Sequence, residues 1–211
     1  MQKIRLKYAK TGKAMYISHL DLMATMQRAL IRAGIKLKYS EGFNPHPYMS
    51  VALPLSVGSE SLCELMDVAV VDEKLPDINK IKLPEGIDVL DAYRPVRKFK
   101  EVAWVKITGS LYYETQISAA LIENLIQCYN KRNVIISKKT KRGNKDLDIA
   151  PYVTDVSFSV NDRITMSAKI SAQNPTINVD DLINAIDDEN KPDYIKIKRI
   201  DIYDTNMIIF R

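Results

Sequence analysis

YISHLDLMATMQRALIRAGIKLKYSEGFNPHPYMS, running from Tyr16 to Ser50, sets a capped helix between two strand-like stretches and so fixes the order of elements in the first half of the chain. Ser18 is a good helix N-cap, because its hydroxyl accepts a hydrogen bond from an otherwise orphan backbone N–H. Asp21, three residues on, gives a short-armed capping box and a negative charge at the positive end of the helix dipole. Leu22, Met23, Met26, Leu30 and Ala33 recur at helical spacing and predict one buried face. Gly34 supplies the stop. Asp21, Thr25, Arg28 and Arg32 share the opposite, wet face.

Both histidines of the chain, His19 and His46, fall in this stretch. His19 stands at the mouth of the helix, where free N–H groups and the macrodipole favour an anion. His46 lies in Gly42-Phe43-Asn44-Pro45-His46-Pro47. Each proline fixes its own φ and drives the residue before it towards extended backbone, so the loop is stiff and presents Asn44 and His46 at small entropic cost. Phe43 is expected to pack in the core or at its rim. His19, Asp21, Asn44 and His46 are expected to line one surface pocket. His19, Asp21 and His46 are the candidate catalytic and metal-ligating residues, since imidazoles with a carboxylate suit a transition ion or acid–base work on a phosphodiester. The plainer reading gives Asp21 and His19 capping roles.

SHLDLM, RALIRAG, YSEGFNPHP and SVALPLSVG (within Ser18–Gly58) are similar to the signature of radical-SAM-linked, or radical-SAM-associated, proteins, a bacterial domain of unknown function. The likeness is dense from Arg5 to Asp67 and departs at Ala24 and Tyr48, where that family tends to carry arginine. The resemblance implies a radical SAM protein as partner and work on RNA or a ribosome-related ribonucleoprotein. It brings no established activity.

Outward from this stretch, Lys3, Arg5 and Lys7 alternate with Ile4, Leu6 and Tyr8, which predicts a half-buried strand with a basic outer face. Met49–Leu55, Leu62–Val71 and Ile87–Tyr93 read as strands, with a weak helical turn at Pro76–Ile81. The order matches the ferredoxin-like split βαβ arrangement. Arg94–Lys100 is a basic, proline-bearing joint. Beyond it come a strand at Val102–Leu111, with Trp104 as a large apolar anchor, a helix at Thr115–Tyr129 and a short strand at Val134–Ser137. A Lys- and Gly-rich hairpin tip, a hairpin across Asn161-Asp162, a helix at Val179–Ile186 and a strand at Tyr194–Tyr203 follow. The expected fold is α+β, two ferredoxin-like halves with antiparallel-rich sheets and helices on one face. The domains are residues 1–94, carrying the SHLDL and GFNPHP motifs, and 101–211, variable and partly basic.

The formal net charge is only +5, but it is unevenly spread. Residues 1–50 hold nine Lys/Arg against two acids, and residues 131–145 hold seven with no acid. Such patches suit a polyanion. The expected anion- and RNA-binding residues are Lys3, Arg5, Lys7, Ser18, His19, Arg28, Arg32, Asn44 and His46, with Lys138, Lys139, Lys141 and Arg142 at the tip. Phe43, Tyr39 and Tyr48 offer stacking surface, with core or rim packing as the plainer reading and the favoured one for Phe43. Cys63 and Cys128 read as buried free thiols of a reducing compartment, hence a cytoplasmic protein. No cysteine cluster holds an iron–sulfur centre, so no cofactor is expected in this chain. No stretch is long and apolar enough to span a membrane, and no signal-peptide layout opens the chain. The reading favours an accessory RNA- or ribonucleoprotein-binding protein without catalysis of its own. The alternatives are a small metal- or histidine-dependent enzyme acting on RNA and a pure protein–protein adaptor.

Overall fold

In the computed structural model, which describes residues 2–72, 74–140 and 143–211, the chain forms two compact units that divide between Glu101 and Val102. The class is α+β with mostly antiparallel strand pairing. Among the described residues no helix is long and apolar enough to cross a membrane.

The first unit contains β1 (Lys3–Lys10), α1 (His19–Arg32), β2 (Met49–Val51), β3 (Glu60–Ala69) and β4 (Ile87–Tyr93). Every pairing is antiparallel, in the order β4-β1-β3-β2. Pro54 follows β2, as expected of a residue without a ladder donor. A 3-10 turn at Ile78–Lys80 occupies the connection before β4. The helix lays Leu22, Met26, Ala29 and Leu30 against Ile4, Leu6 and Tyr8 of β1 and Met66 and Val68 of β3. Burial of a side chain such as Met26 or Leu30 contributes about 1.5–3 kcal/mol, so this face, more than helix propensity, holds α1 in place. Met23 and Ala33 lie at its margin.

The expected basic outer face of β1 is interrupted at its centre, with Lys3 exposed and Lys7 half-buried on either side of Arg5. Arg5 is fully buried, and its guanidinium forks onto Asp67 of β3, with Nε to Oδ1 at 2.7 Å and Nη2 to Oδ2 at 3.0 Å. Nη2 also donates to the Arg97 carbonyl, and the Phe99 ring lies 4.3 Å from the guanidinium carbon. The segment read as a joint, Arg94–Lys100, therefore belongs to the first unit and covers this side of its sheet. A buried cation needs such partners, because desolvation outweighs what a surface lysine or arginine gains.

The second unit runs β5 (Trp104–Tyr112), α2 (Ala119–Asn130), β6 (Ile135–Thr140), β7 (Gly143–Asp148), β8 (Val153–Val160), β9 (Ile164–Ser171), α3 (Val179–Asn184) and β10 (Tyr194–Tyr203). Its main sheet has the order β10-β5-β9-β8, antiparallel throughout. The pair β6–β7 stands apart as a two-stranded sheet. The hairpin expected at this basic stretch forms, with β7 as its second strand. The pair is anchored at its base by Asp148. Its carboxylate accepts from the Val134 N–H at 2.9 Å and from Asn133 Nδ2 at 2.7 Å, which holds its pKa below the usual carboxylate range. Ser118 caps α2 by accepting from the Leu121 N–H, and Asn178 with Asp181 forms a reciprocal capping box on α3.

Candidate functional site

At the mouth of α1, Ser18 takes an extended backbone and its Oγ accepts from the Asp21 N–H at 3.1 Å. The same hydroxyl donates to Asp21 Oδ2 at 2.7 Å. Asp21 is thus engaged as a capping partner while it remains exposed, and His19, the first helical residue, is exposed beside it. Ser18→Ala should cost about 1 kcal/mol of the first unit's stability, and Ser18→Asn should restore most of it, as read by urea midpoints. Equal midpoints for wild type and Ser18→Ala would show that the cap contributes nothing.

The proline loop is pinned at its neck. The Tyr48 N–H donates to the Lys38 carbonyl at 2.9 Å, and the Ser40 N–H donates to the His46 carbonyl at 2.8 Å. The His46 N–H returns a bond to Ser40 Oγ at 2.9 Å. Lys38 and Tyr48 are also stitched to Ala69 at the end of β3. Gly42 has φ +115°, a left-handed value that a side chain resists, and it carries the chain outwards. Glu41–His46 are all exposed, and Phe43 is fully so. This reverses the expectation that Phe43 packs inside: two prolines leave the loop too stiff to fold its tip back. Tyr39 and Tyr48 are exposed at 38% and 44%, against the full exposure of Phe43, so the ring at the tip is the one offered whole.

The predicted cations divide into two groups. Lys3 and Arg28 are exposed, and Lys7 is half-buried. Arg32 is exposed but donates to the Lys82 carbonyl at 3.1 Å. Arg5 is removed from any surface role by its burial. Lys138 is engaged inside the second unit, with Nζ 2.5 Å from Asp181 Oδ2 and 2.7 Å from the Thr176 carbonyl. That ties β6 to the capping box of α3, which explains why a lysine of a basic run is spent internally. Lys141 and Arg142 lie outside the described residues, and Lys139 is described by its backbone alone.

Among the described residues no group of three or more His, Cys, Asp or Glu is placed to hold a metal, so His19, Asp21 and His46 are not assembled as a ligand set. Asn44 and His46 share the pinned loop, and His19 and Asp21 share the helix mouth. Cys63 and Cys128 are buried free thiols. Cys128 donates to the Ala185 carbonyl at 2.7 Å beside a cleft of about 460 Å³, and burial pushes its pKa up, the opposite of an activated thiol.

Residues 3–184 match a family described as an uncharacterized protein conserved in bacteria, DUF2344. The chain belongs to that family. No curated protein matches it. The match takes in the pinned loop, the capped helix and most of the second unit, so the DUF2344 pattern spans both units. In this DUF2344 protein Phe43 is fully exposed, so the stacking surface, and not the favoured packing role, is the one the structure supports.

Proposed function

We propose that this DUF2344 protein is a non-catalytic accessory factor that binds RNA or a ribonucleoprotein and acts beside a radical SAM enzyme. The observation that carries the binding reading is Phe43, a fully exposed ring on a loop held by reciprocal bonds between Ser40 and His46. A large apolar ring held in water on a rigid support is a recognition element, because little ordering entropy remains to be lost on binding. Base stacking on such a ring is worth about 1–3 kcal/mol. Exposed Asn44 and His46 flank it with hydrogen-bonding groups. Arg28 and Lys3 supply positive charge to the same unit. His19 and Asp21 belong to this reading as polar groups at the helix mouth.

The likeness of Ser18–Gly58 to radical-SAM-linked proteins supports the partner. The two buried free thiols fit a reducing, cytoplasmic setting. The strand orders β4-β1-β3-β2 and β10-β5-β9-β8 support reading both units as split βαβ, ferredoxin-like halves, the first with its second helix reduced to a 3-10 turn and the second with β6–β7 inserted.

The test is a titration of labelled single-stranded RNA, followed by anisotropy at two salt concentrations. Wild type should bind less tightly at higher salt, because neutralised phosphates release counterions. Phe43→Ala should weaken binding by about 1–3 kcal/mol. Arg28→Ala with Arg32→Ala should weaken it across sequences, since phosphate contacts do not read bases. The helix should survive, as alanine is a good helix former. Salt-independent affinity, or unchanged binding by Phe43→Ala, removes the RNA reading through this unit. A protein adaptor then leads, tested by pull-down of a radical SAM protein with wild type and Phe43→Ala.

A further inference from the structure

We propose that the sheet face of the second unit left uncovered by that unit's own helices is a docking surface for single-stranded RNA. This deepens the RNA-binding reading and rests on it, but uses residues that reading does not.

The two faces of this sheet are told apart by packing. The Tyr129 ring of α2 lies 6.1 Å from the Phe158 ring of β8, and Tyr129 Oη donates to the Leu182 carbonyl of α3. Both helices are therefore on the side of Phe158. Phe158 pairs with Met166, and Met166 with Gly109, where a Cβ would meet the Ile197 side chain at 2.7 Å. Val105, Ile107 and Leu111 of β5 are buried on that side, at 4%, 2% and 0% exposure. The other side of β5 carries Trp104, Lys106, Thr108, Ser110 and Tyr112, each half-exposed.

Neighbouring strands continue that composition. By register, Ser167 and Lys169 of β9 stand beside Thr108 and Lys106. Tyr194, Lys196 and Lys198 of β10 stand beside Tyr112, Ser110 and Thr108. Arg163, at the turn into β9, donates to Tyr112 Oη and lies over the Tyr112 ring at 5.0 Å. The Tyr112 and Tyr194 rings are 5.5 Å apart, and Tyr194 is 53% exposed. At the opposite end Lys169 Nζ lies 5.0 Å from the Tyr203 ring and pairs with Asp155. Asp201 stands beside Lys106. Lys106, Lys169, Lys196 and Lys198 alternate here with aromatic rings and hydroxyls.

An apolar face would point to a protein, and a purely basic face to any polyanion. A sheet that interleaves lysine, arginine and tyrosine fits single strands, because bases stack on rings while cations meet phosphates. The hydroxyls of Thr108, Ser110 and Ser167 offer partners to the 2′-OH of RNA.

Trp104 is the chain's single tryptophan and lies on this face, so its emission reports the site directly. Titration with unlabelled single-stranded RNA should quench Trp104, and added salt should reverse the quenching. Tyr194→Ala should weaken binding about tenfold. Lys106→Ala should lower the slope of log affinity against log salt by about 0.7. Both variants replace side chains outside the buried layer, and circular dichroism checks that each is folded. Phe43→Ala should lower affinity yet leave Trp104 quenched at saturation. If RNA binds by anisotropy while Trp104 is unmoved and both sheet variants bind as wild type, this proposal is overturned and the Phe43 reading stands. If RNA does not bind by either measure, both fail. Quenching by poly-glutamate as strong as by RNA overturns it in favour of an acidic protein partner, and equal quenching by duplex RNA overturns the single-strand assignment.

Discussion

Asp67→Ala should destabilise the first unit by about 3–5 kcal/mol, read from urea unfolding midpoints and slopes. The Arg5 side chain has no solvent exposure and that of Asp67 only 10%. Two parallel bonds join them, the geometry in which arginine pairs most strongly with a carboxylate. The Arg97 carbonyl and the Phe99 ring also lie against the cation. Removing the carboxylate leaves the guanidinium inside the protein with its main counter-charge gone, and water cannot reach it without opening the cover made by Arg97 and Phe99. The loss is therefore mostly the penalty of a stranded charge, not the net worth of the pair. The double change Arg5→Met with Asp67→Leu should bring stability back to near wild type or above, since apolar replacements of similar volume avoid desolvation altogether. A single variant within about 1 kcal/mol of wild type would mean that the pair behaves as a screened surface bridge. The outcome also bears on function, because an arginine held this way is not offered to a phosphate.

The sequence pattern made much of this architecture legible, and the reasons are local. Leu22, Met26 and Leu30 repeat at helical spacing between Ser18 and Gly34, so α1 and its buried face could be read directly. Val102–Leu111 could be read as a strand, although Trp104, read as its apolar anchor, is half-buried on the face opposite Val105, Ile107 and Leu111. What local pattern did not carry was long-range pairing. Lys3, Arg5 and Lys7 read as a wet edge because isolated charges seldom enter a core, and the partner that admits Arg5 stands 62 residues away. Lys138 reads as part of a solvated run until Asp181, 43 residues on, takes it. The strand β7, with sequence GNKDLD, has no apolar alternation, and only its pairing with β6 makes it a strand.

The site was legible to a different degree. The motif stretch marked the capped helix mouth and the stiff loop, and both stand where their residues predicted. Of the side-chain roles inside them, the Ser18–Asp21 cap was readable, whereas the outward Phe43 was not the favoured reading. Asp21 serves the cap through Ser18, and Phe43 faces water. Whether an aromatic residue in a loop turns in or out depends on how the neck is bonded. Here that neck is set by Ser40 and His46, which sequence spacing alone does not join.

Gly86→Ala should cost the first unit about 2–5 kcal/mol, the sum of a left-handed backbone penalty and an overpacking penalty. Gly86 has φ +87°, and a Cβ there would sit 2.3 Å from the Thr11 carbonyl oxygen and 3.0 Å from Ala14 Cβ. Real atoms do not approach so closely, so the backbone on one side must shift. The Thr11 N–H donates to the Gly86 carbonyl at 2.7 Å, so a shift that relieves the clash also strains this bond. Gly34→Ala supplies the control. Its φ is +81°, almost the same, but nothing lies within 4 Å of the added carbon, so it should lose only the backbone part, about 1–2 kcal/mol. The difference between the two variants isolates the close approach. It reaches the candidate site as well, because Thr11 leads through the 3-10 turn Gly12–Tyr16 to the Ser18 cap. Amide exchange at Ala14, Ile17 and Leu22 should therefore quicken in Gly86→Ala and stay near wild type in Gly34→Ala. Matching midpoints for the two alanine variants, with exchange at Ala14 unchanged, would show that the turn yields freely and that Gly86 is required only for its backbone angle.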